Sequence, residues 1–158
     1  MPDDLVLERW FDAGADAVWS HLTDVTRLDE WLGHPLESAP AVGGVMSIDH
    51  GGGYICTSVI ENCDTEQRSL IVSWSFPDEP QTRVSVQVAS MGSCAQSRLT
   101  LRHAGLGDLR DEYAHGWATH LAYFEASLGG LPLDLAEFWS VHAALAASVT
   151  EVRAGDAG

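Results

Sequence analysis

The stretch from Arg110 to Leu128, RDEYAHGWATHLAYFEASL, constrains the fold more than any other part of the chain. Tyr113, Trp117, Leu121, Phe124 and Leu128 recur at steps of three and four, so on an α-helix they share one stripe. A stripe of that width needs a facing sheet, and the helix comes late, so the sheet must precede it. His103, Gly105 and Gly107 open the stretch.

The upstream sequence supplies the strands. Leu5 to Phe11 is a β-rich run ending at Asp12-Ala13-Gly14. Asp16 is in place to cap a helix running to Thr23, with Val18, Trp19 and Leu22 as its apolar face, and Asp24 to cap a second short helix reaching Trp31. Gly33, Pro35, Pro40 and Gly43-Gly44 then read as an irregular loop. From Val45 the texture becomes alternation broken by turn residues, the mark of an antiparallel meander. Its strands are Val45 to Asp49, Tyr54 to Cys63, Leu70 to Phe76, Arg83 to Ala89 and Ala95 to His103. Leu70, Val72, Trp74 and Phe76 share one face, as do Val84, Val86 and Val88, and Leu99, Leu101 and His103. Ser73, Ser75, Arg83, Ser85, Gln87, Arg98, Thr100 and Arg102 fall on the opposite, wetter face. The expectation is an α+β domain with a six-stranded antiparallel sheet.

Past Gly129-Gly130, Pro132 and Asp134 announce another helix over residues 134 to 149, carrying Leu135, Phe138, Trp139, His142, Leu145 and Val149 in register. Phe138 and Trp139 are too large to leave in water without a partner, so this segment packs back on the domain, covers a cavity mouth or forms a homodimer interface. Residues 154 to 158 read as a frayed tail. Residues 131 to 158 are thus an extension of a single domain built on residues 1 to 130, since 158 residues leave no room for a second core.

Charge narrows the partners. Eight basic residues, all arginine, stand singly along the chain against 23 acidic ones, giving a net charge of -15. Such a surface repels nucleic-acid backbones and anionic lipid heads. No stretch approaches the ~20 apolar residues of a membrane span, and the N-terminus lacks the pattern of a secretory leader. Cys56, Cys63 and Cys94 form no CxxC pair, which points to reduced thiols and a cytoplasmic setting.

The order strand, two short helices, five strands, long helix resembles the helix-grip architecture of the Bet v 1 and START-like (SRPBCC) superfamily. Phe11, Val18-Trp19, Leu22-Thr23, Trp31, Gly43-Gly44, the LIVSW segment ending at Trp74, the run SRLTLRHAGL from Ser97 and HGWATHLAYFEASL from His115 carry a closer resemblance. They are similar to the family named for homology to the activator of Hsp90 ATPase, over roughly residues 5 to 129. The resemblance implies a curved sheet gripping the long helix with a cavity between them. It does not imply one activity, because relatives of the fold bind lipids, hormones and polyketides, some cyclise or dehydrate substrates, and the namesake binds a chaperone.

Candidate cavity residues are those where the dry sheet face and the helix stripe converge: Trp74, Phe76, Tyr113, Trp117, His120 and Phe124, with His103 at the end of an inward alternation. For Trp74, Trp117 and Phe124 the plainer reading is that they fill the core, since an aromatic stripe is core more often than ligand box. His103 could act as a base or ligand contact, or hold the strand-to-helix turn by a structural bond. His115 and His120 lie five apart and cannot chelate one metal, and His34, His50 and His142 lack a carboxylate or cysteine at ligand spacing. No HExxH, GxSxG, Walker or dinucleotide fingerprint occurs, so no metal or cofactor is expected. Glu61, Arg9, Tyr113 and His120 are the groups that cofactor-independent cyclase or hydrolase chemistry would need. A module that binds a small apolar or amphipathic molecule is favoured over that enzyme and over a homodimeric or chaperone-binding interaction module.

Overall fold

A computed structural model of the chain describes residues 4–38 and 41–145. Seven strands among them form one curved antiparallel sheet: β1 (Leu5–Phe11), β2 (His34–Ser38), β3 (Val45–Asp49), β4 (Ile55–Asp64), β5 (Ser69–Trp74), β6 (Thr82–Met91) and β7 (Ser93–Ala104). The helices are α1 (Ala15–Thr23), α2 (Leu28–Trp31), α3 (Arg110–Leu128) and α4, helical from 138 to 145. The expected α+β helix-grip architecture is therefore the observed one.

Strand order across the sheet is β1-β7-β6-β5-β4-β3-β2. β1 and β2, neighbours in sequence, sit at opposite edges, so the α1–α2 elbow must cross the whole sheet. Six strand spacings amount to ~29 Å if flat, and curvature shortens that crossing while giving the sheet a concave side for α3. The elbow is fixed by Asp24, whose carboxylate accepts from the Thr26 amide at 3.0 Å and starts a 3-10 turn at Val25–Arg27 ahead of α2. Asp16 does not cap α1. That position belongs to Gly14 with no side-chain bond, and Asp16, in the first turn, pairs with Arg68 at 2.9 Å.

The strand absent from the sequence reading is β2. Pro35 argued for a loop, yet Pro35 lies in an edge strand opposite Ile48, and the register shifts between Pro35 and Glu37. An edge strand with an irregularity is where a residue lacking an N–H is tolerated. Gly33 makes the approach possible: a Cβ there would lie 2.6 Å from Ile48 Cγ2 and 2.7 Å from the Asp49 carbonyl oxygen.

The core sits between the concave sheet face and α3. Phe124 is surrounded edge-on by Phe11, Trp31 and His21, with ring centroids 5.6, 5.2 and 5.4 Å away. Its end of α3 is tied to the elbow through Ser127, which donates to Glu30 at 3.0 Å and lies 2.7 Å from His21 Nε2. The buried part of α3 is wider than the expected stripe, taking in Thr119, His120, Tyr123 and Ser127 while Tyr113 and Leu128 are half-buried. The reason is a second covering layer. Residues 131 to 145 return over α3, Tyr123 donates to the Asp134 carbonyl at 2.9 Å, and Asp134 caps the turn at Leu135–Glu137.

The face assigned to solvent holds with one correction. Ser73 is buried, because its hydroxyl accepts the Val59 amide at 2.8 Å just before the β4 irregularity between Ile60 and Asn62.

Candidate functional site

Two cavities share a wall made by Trp74 at the end of β5 and Trp117 in α3, whose rings stand 5.0 Å apart. The first, of about 150 Å³, lies between sheet and helix. Its floor is Val72, Val84, Val86, Leu99 and Leu101 from β5 to β7, its roof Leu121 of α3, and its end wall Leu22, Val25, Leu28 and Trp31 of the elbow. Strand alternation places the valines and leucines there. The lining is almost wholly apolar: Thr23, Ser58 and Cys63 are its polar side chains, apart from the two wall tryptophans and Trp31, and no charged residue among the described ones borders it.

The second cavity, of about 100 Å³, opens on the far side of the tryptophans beneath the returning segment. Its polar centre is Glu79, in the turn after Phe76. Tyr113 donates to one carboxylate oxygen at 2.5 Å, the Tyr54 hydroxyl is shared between the other at 3.2 Å and Asp78 Oδ1 at 3.1 Å, and Trp74 Nε1 donates to the Tyr113 oxygen at 3.2 Å. Burial and the adjoining carboxylates push both phenols well above their ordinary range, so they stay protonated donors. Tyr54 also stacks on Phe76 with centroids 4.1 Å apart.

His50 and His120 face this cavity, rings 5.5 Å apart and edge-on. Burial brings His50 down to about 4 and His120 to about 3, the neighbouring His50 adding to the latter, so both are neutral at pH 7. The Trp31 carbonyl can only accept, hence His120 Nδ1 carries the proton across their 2.9 Å bond and its Nε2 is a lone pair. His50 Nε2 is enclosed and bonded to nothing among the described residues. A third space of about 410 Å³ shares His50, His120 and Phe138 with the second.

The seven expected cavity residues divide three ways. Trp74 and Trp117 border both cavities, and Phe76, Tyr113 and His120 border the second. Phe124 lies in the core and lines none of the three spaces, because the elbow closes over it. His103 also lines none, being 0% exposed within a closed bond chain. Trp117 donates to His103 Nδ1 at 3.0 Å, so His103 Nε2 holds the proton and donates to the Thr82 hydroxyl at 2.7 Å, which donates to the Trp74 carbonyl at 3.2 Å. Every member is satisfied, and burial holds His103 down to about 4. The arrangement is that of a structural bond at the strand-to-helix junction.

Of the groups named for acid–base work, Glu61 points outward and pairs with Arg83 at 3.0 Å, and Arg9 donates to the Glu8 carbonyl at 2.9 Å. Neither borders a cavity. His50, Tyr54, Glu79 and Phe138 were not singled out for the site. The first two were within reach, since Met46, Ile48 and His50 alternate on one side, as do Tyr54, Cys56 and Ser58. Glu79 sits in an irregular turn without a periodic signal. Phe138 is 5% exposed, its ring 4.4 Å from His120 and 5.4 Å from Tyr123, whereas Trp139 is 55% exposed. The extension therefore packs back on the domain, and of its two large aromatics only Trp139 remains at the surface.

Solved structures share this fold. The fold matches CalU16 from Micromonospora echinospora with a TM-score of 0.71 at 24% identity, covering 90% of this chain and 87% of that one. It matches DynU16, from the dynemicin biosynthetic locus, with a TM-score of 0.71 at 22% identity, covering 82% of this chain and 49% of that one. Protein MLL2253 from Mesorhizobium loti matches with a TM-score of 0.69 at 21% identity over 82% of this chain and 99% of that one. No curated protein matches the sequence. Residues 12–129 match a family described as Activator of Hsp90 ATPase homolog 1-like protein. With the match spanning well over half of the chain, and with the helix-grip sheet and its helix in place, the chain belongs to that family.

Proposed function

We propose that the domain binds a small apolar molecule, about one ring in size, in the cavity between the sheet and α3. The observation that carries this reading is an apolar cavity of about 150 Å³ between the sheet and α3, bordered by core residues. At ~24 cal/mol per Å³, a cavity of that size costs up to ~4 kcal/mol when empty. Apolar cavities of ~150 Å³ stay dry and admit benzene-sized ligands, so the same void is a favourable destination for a ring. Its lining offers a guest no charged group, which supports binding over proton chemistry at this position. A longer amphipathic guest would have to pass between Trp74 and Trp117 to reach the polar centre beyond.

Native mass spectrometry of the purified protein before and after organic extraction tests the reading, together with a toluene titration followed by NMR. A removable lipophile or saturable toluene binding is the expected result. Val86→Phe, which pushes a ring into the void, should weaken toluene at least tenfold while the protein stays folded. No bound mass, and no toluene response up to its solubility, would leave the void as a packing defect and end the proposal.

A further inference from the structure

The second cavity adds to its aromatic rings two features that the first lacks: carboxylates that have no cationic partner among the described residues, and uncharged histidine acceptors. Trp74, Trp117, Tyr54, Tyr113 and Phe76 present rings to it, and Trp139 stands at its rim. Glu79 lies among them and Glu112 of α3 borders the same space. The chain has no lysine, and among the described residues no arginine borders the cavity and Glu79 takes part in no ion pair. Its oxygens instead receive the Tyr113 phenol hydrogen and share that of Tyr54 with Asp78, which orients the carboxylate without a cation.

We propose that this second cavity is a binding site for a small organic ammonium ion, held against the tryptophan and tyrosine faces and compensated by Glu79 and Glu112. The face of an aromatic ring attracts a cation through its quadrupole, most strongly for tryptophan, and more so where water is excluded. A carboxylate beside such rings adds charge attraction in a medium of reduced dielectric. A net charge of -15 raises the local concentration of cations around the whole molecule.

The histidines fit the same guest. His50, His120 and His142 border the space, and as imidazolium ions they would repel a cation. Burial holds all three below their ordinary range. The lone pair of His120 Nε2 and the unpartnered His50 Nε2 can then accept N–H bonds from a protonated amine. A volume of about 100 Å³ restricts the guest to a headgroup with few carbons. This site stands apart from the apolar cavity and its occupancy does not require that one to be filled.

The test compares tetramethylammonium and propylammonium chlorides with the uncharged 3,3-dimethylbutan-1-ol, by NMR titration of the full chain at pH 7.5 and constant ionic strength set with sodium chloride. Both cations should bind at least tenfold more tightly than the alcohol, perturbing the Trp74 and Trp117 indole signals. Glu79→Gln with Glu112→Gln should weaken the cations at least fivefold. Toluene binding in the first cavity should be unchanged in that double variant, which separates failure here from failure of the ring-binding proposal. Equal affinity for the alcohol, loss of all response to the cations, or a double variant that binds them as tightly as the unaltered chain would each overturn the assignment. If the double variant does not fold, Trp139→Ser provides the second readout, with a loss of at least twofold expected and no change counting against the site.

Discussion

The two sides of the Trp74–Trp117 wall are built by different means. The sheet-side cavity is made by regular elements, where alternation on β5 to β7 and the stripe on α3 leave every side chain apolar. The other is made where elements end: Phe76 and Glu79 after β5, His50 and Tyr54 around the turn at Gly51 to Gly53, and Phe138 and His142 from the returning segment. Regular elements make a dry volume whose character is insensitive to pH. Ends and turns bring ionisable groups together, and those groups make their side of the molecule the sensitive one.

Acid is the strongest way to expose that asymmetry. Unfolded histidines take up protons near 6.5, whereas His50 and His103 resist until about 4 and His120 until about 3. Below pH 6.5 the unfolded state therefore binds more protons, so the stability present above that pH is lost as pH falls towards 4. Each group contributes up to ~1.4 kcal/mol per pH unit and the three together ~4. A margin at the lower end of the usual ~5–15 kcal/mol is then exhausted within about two units. Urea midpoints at pH 8, 7, 6 and 5 in 0.3 M sodium chloride should fall steeply below 6.5, and a flat series between 7 and 5 would contradict the neutral, buried assignment.

Phe138→Ala comes next. Removing a ring packed against His120 and Tyr123 should cost ~3–5 kcal/mol in denaturant unfolding. It should join the second and third spaces, which Phe138 separates, and leave toluene binding on the sheet side within twofold. A change in toluene affinity as large as that in stability would mean that the wall does not isolate the two cavities. His103→Leu should cost somewhat less, ~2–3 kcal/mol, by leaving the Trp117 N–H and the Thr82 hydroxyl without their partner. Stability and toluene affinity measured on the same variant decide between a structural bond and a ligand contact: a loss of affinity with no loss of stability would reverse the assignment.

The same division governs what could be read from the sequence. Period-two and period-3.6 patterns placed β1, β3 and α3 at their observed limits and the other expected strands within a few residues, because burial on one face selects side chains residue by residue. They also identified Trp74 and Trp117, which are part of those patterns. β2 was hidden because Pro35 reads as a breaker, and only its position at the sheet edge, a property of the whole topology, makes it acceptable. Phe124 has the same helical spacing as Trp117 but meets the elbow instead of a void, a distinction that depends on where α1 and α2 land. Glu79 carries no local signal at all. Its role comes from Tyr54 and Tyr113, 25 and 34 residues away. Residues 146 to 149, the rest of the expected last helix, lie outside the described residues.

The smallest expected effect on stability falls on the residue that separates an interior role from an exterior one. Trp139 is 55% exposed, with its ring 5.1 Å from Phe138 and 5.4 Å from His142, and Leu131 and Leu133 are exposed nearby in sequence. Because only about half of its surface is removed from water, Trp139→Ser should cost ~1–2 kcal/mol in unfolding free energy, less than either interior substitution. As the rim of the ammonium site it should still weaken tetramethylammonium, and light scattering should report one unchanged mass for both proteins. A homodimer built on this segment makes the opposite prediction, with the mass halving on substitution and stability becoming dependent on protein concentration in the unaltered chain only. Since Phe138 is already enclosed by its own protomer, such an interface would rest on Trp139 and the two leucines alone, so a single serine is enough to decide between the two roles.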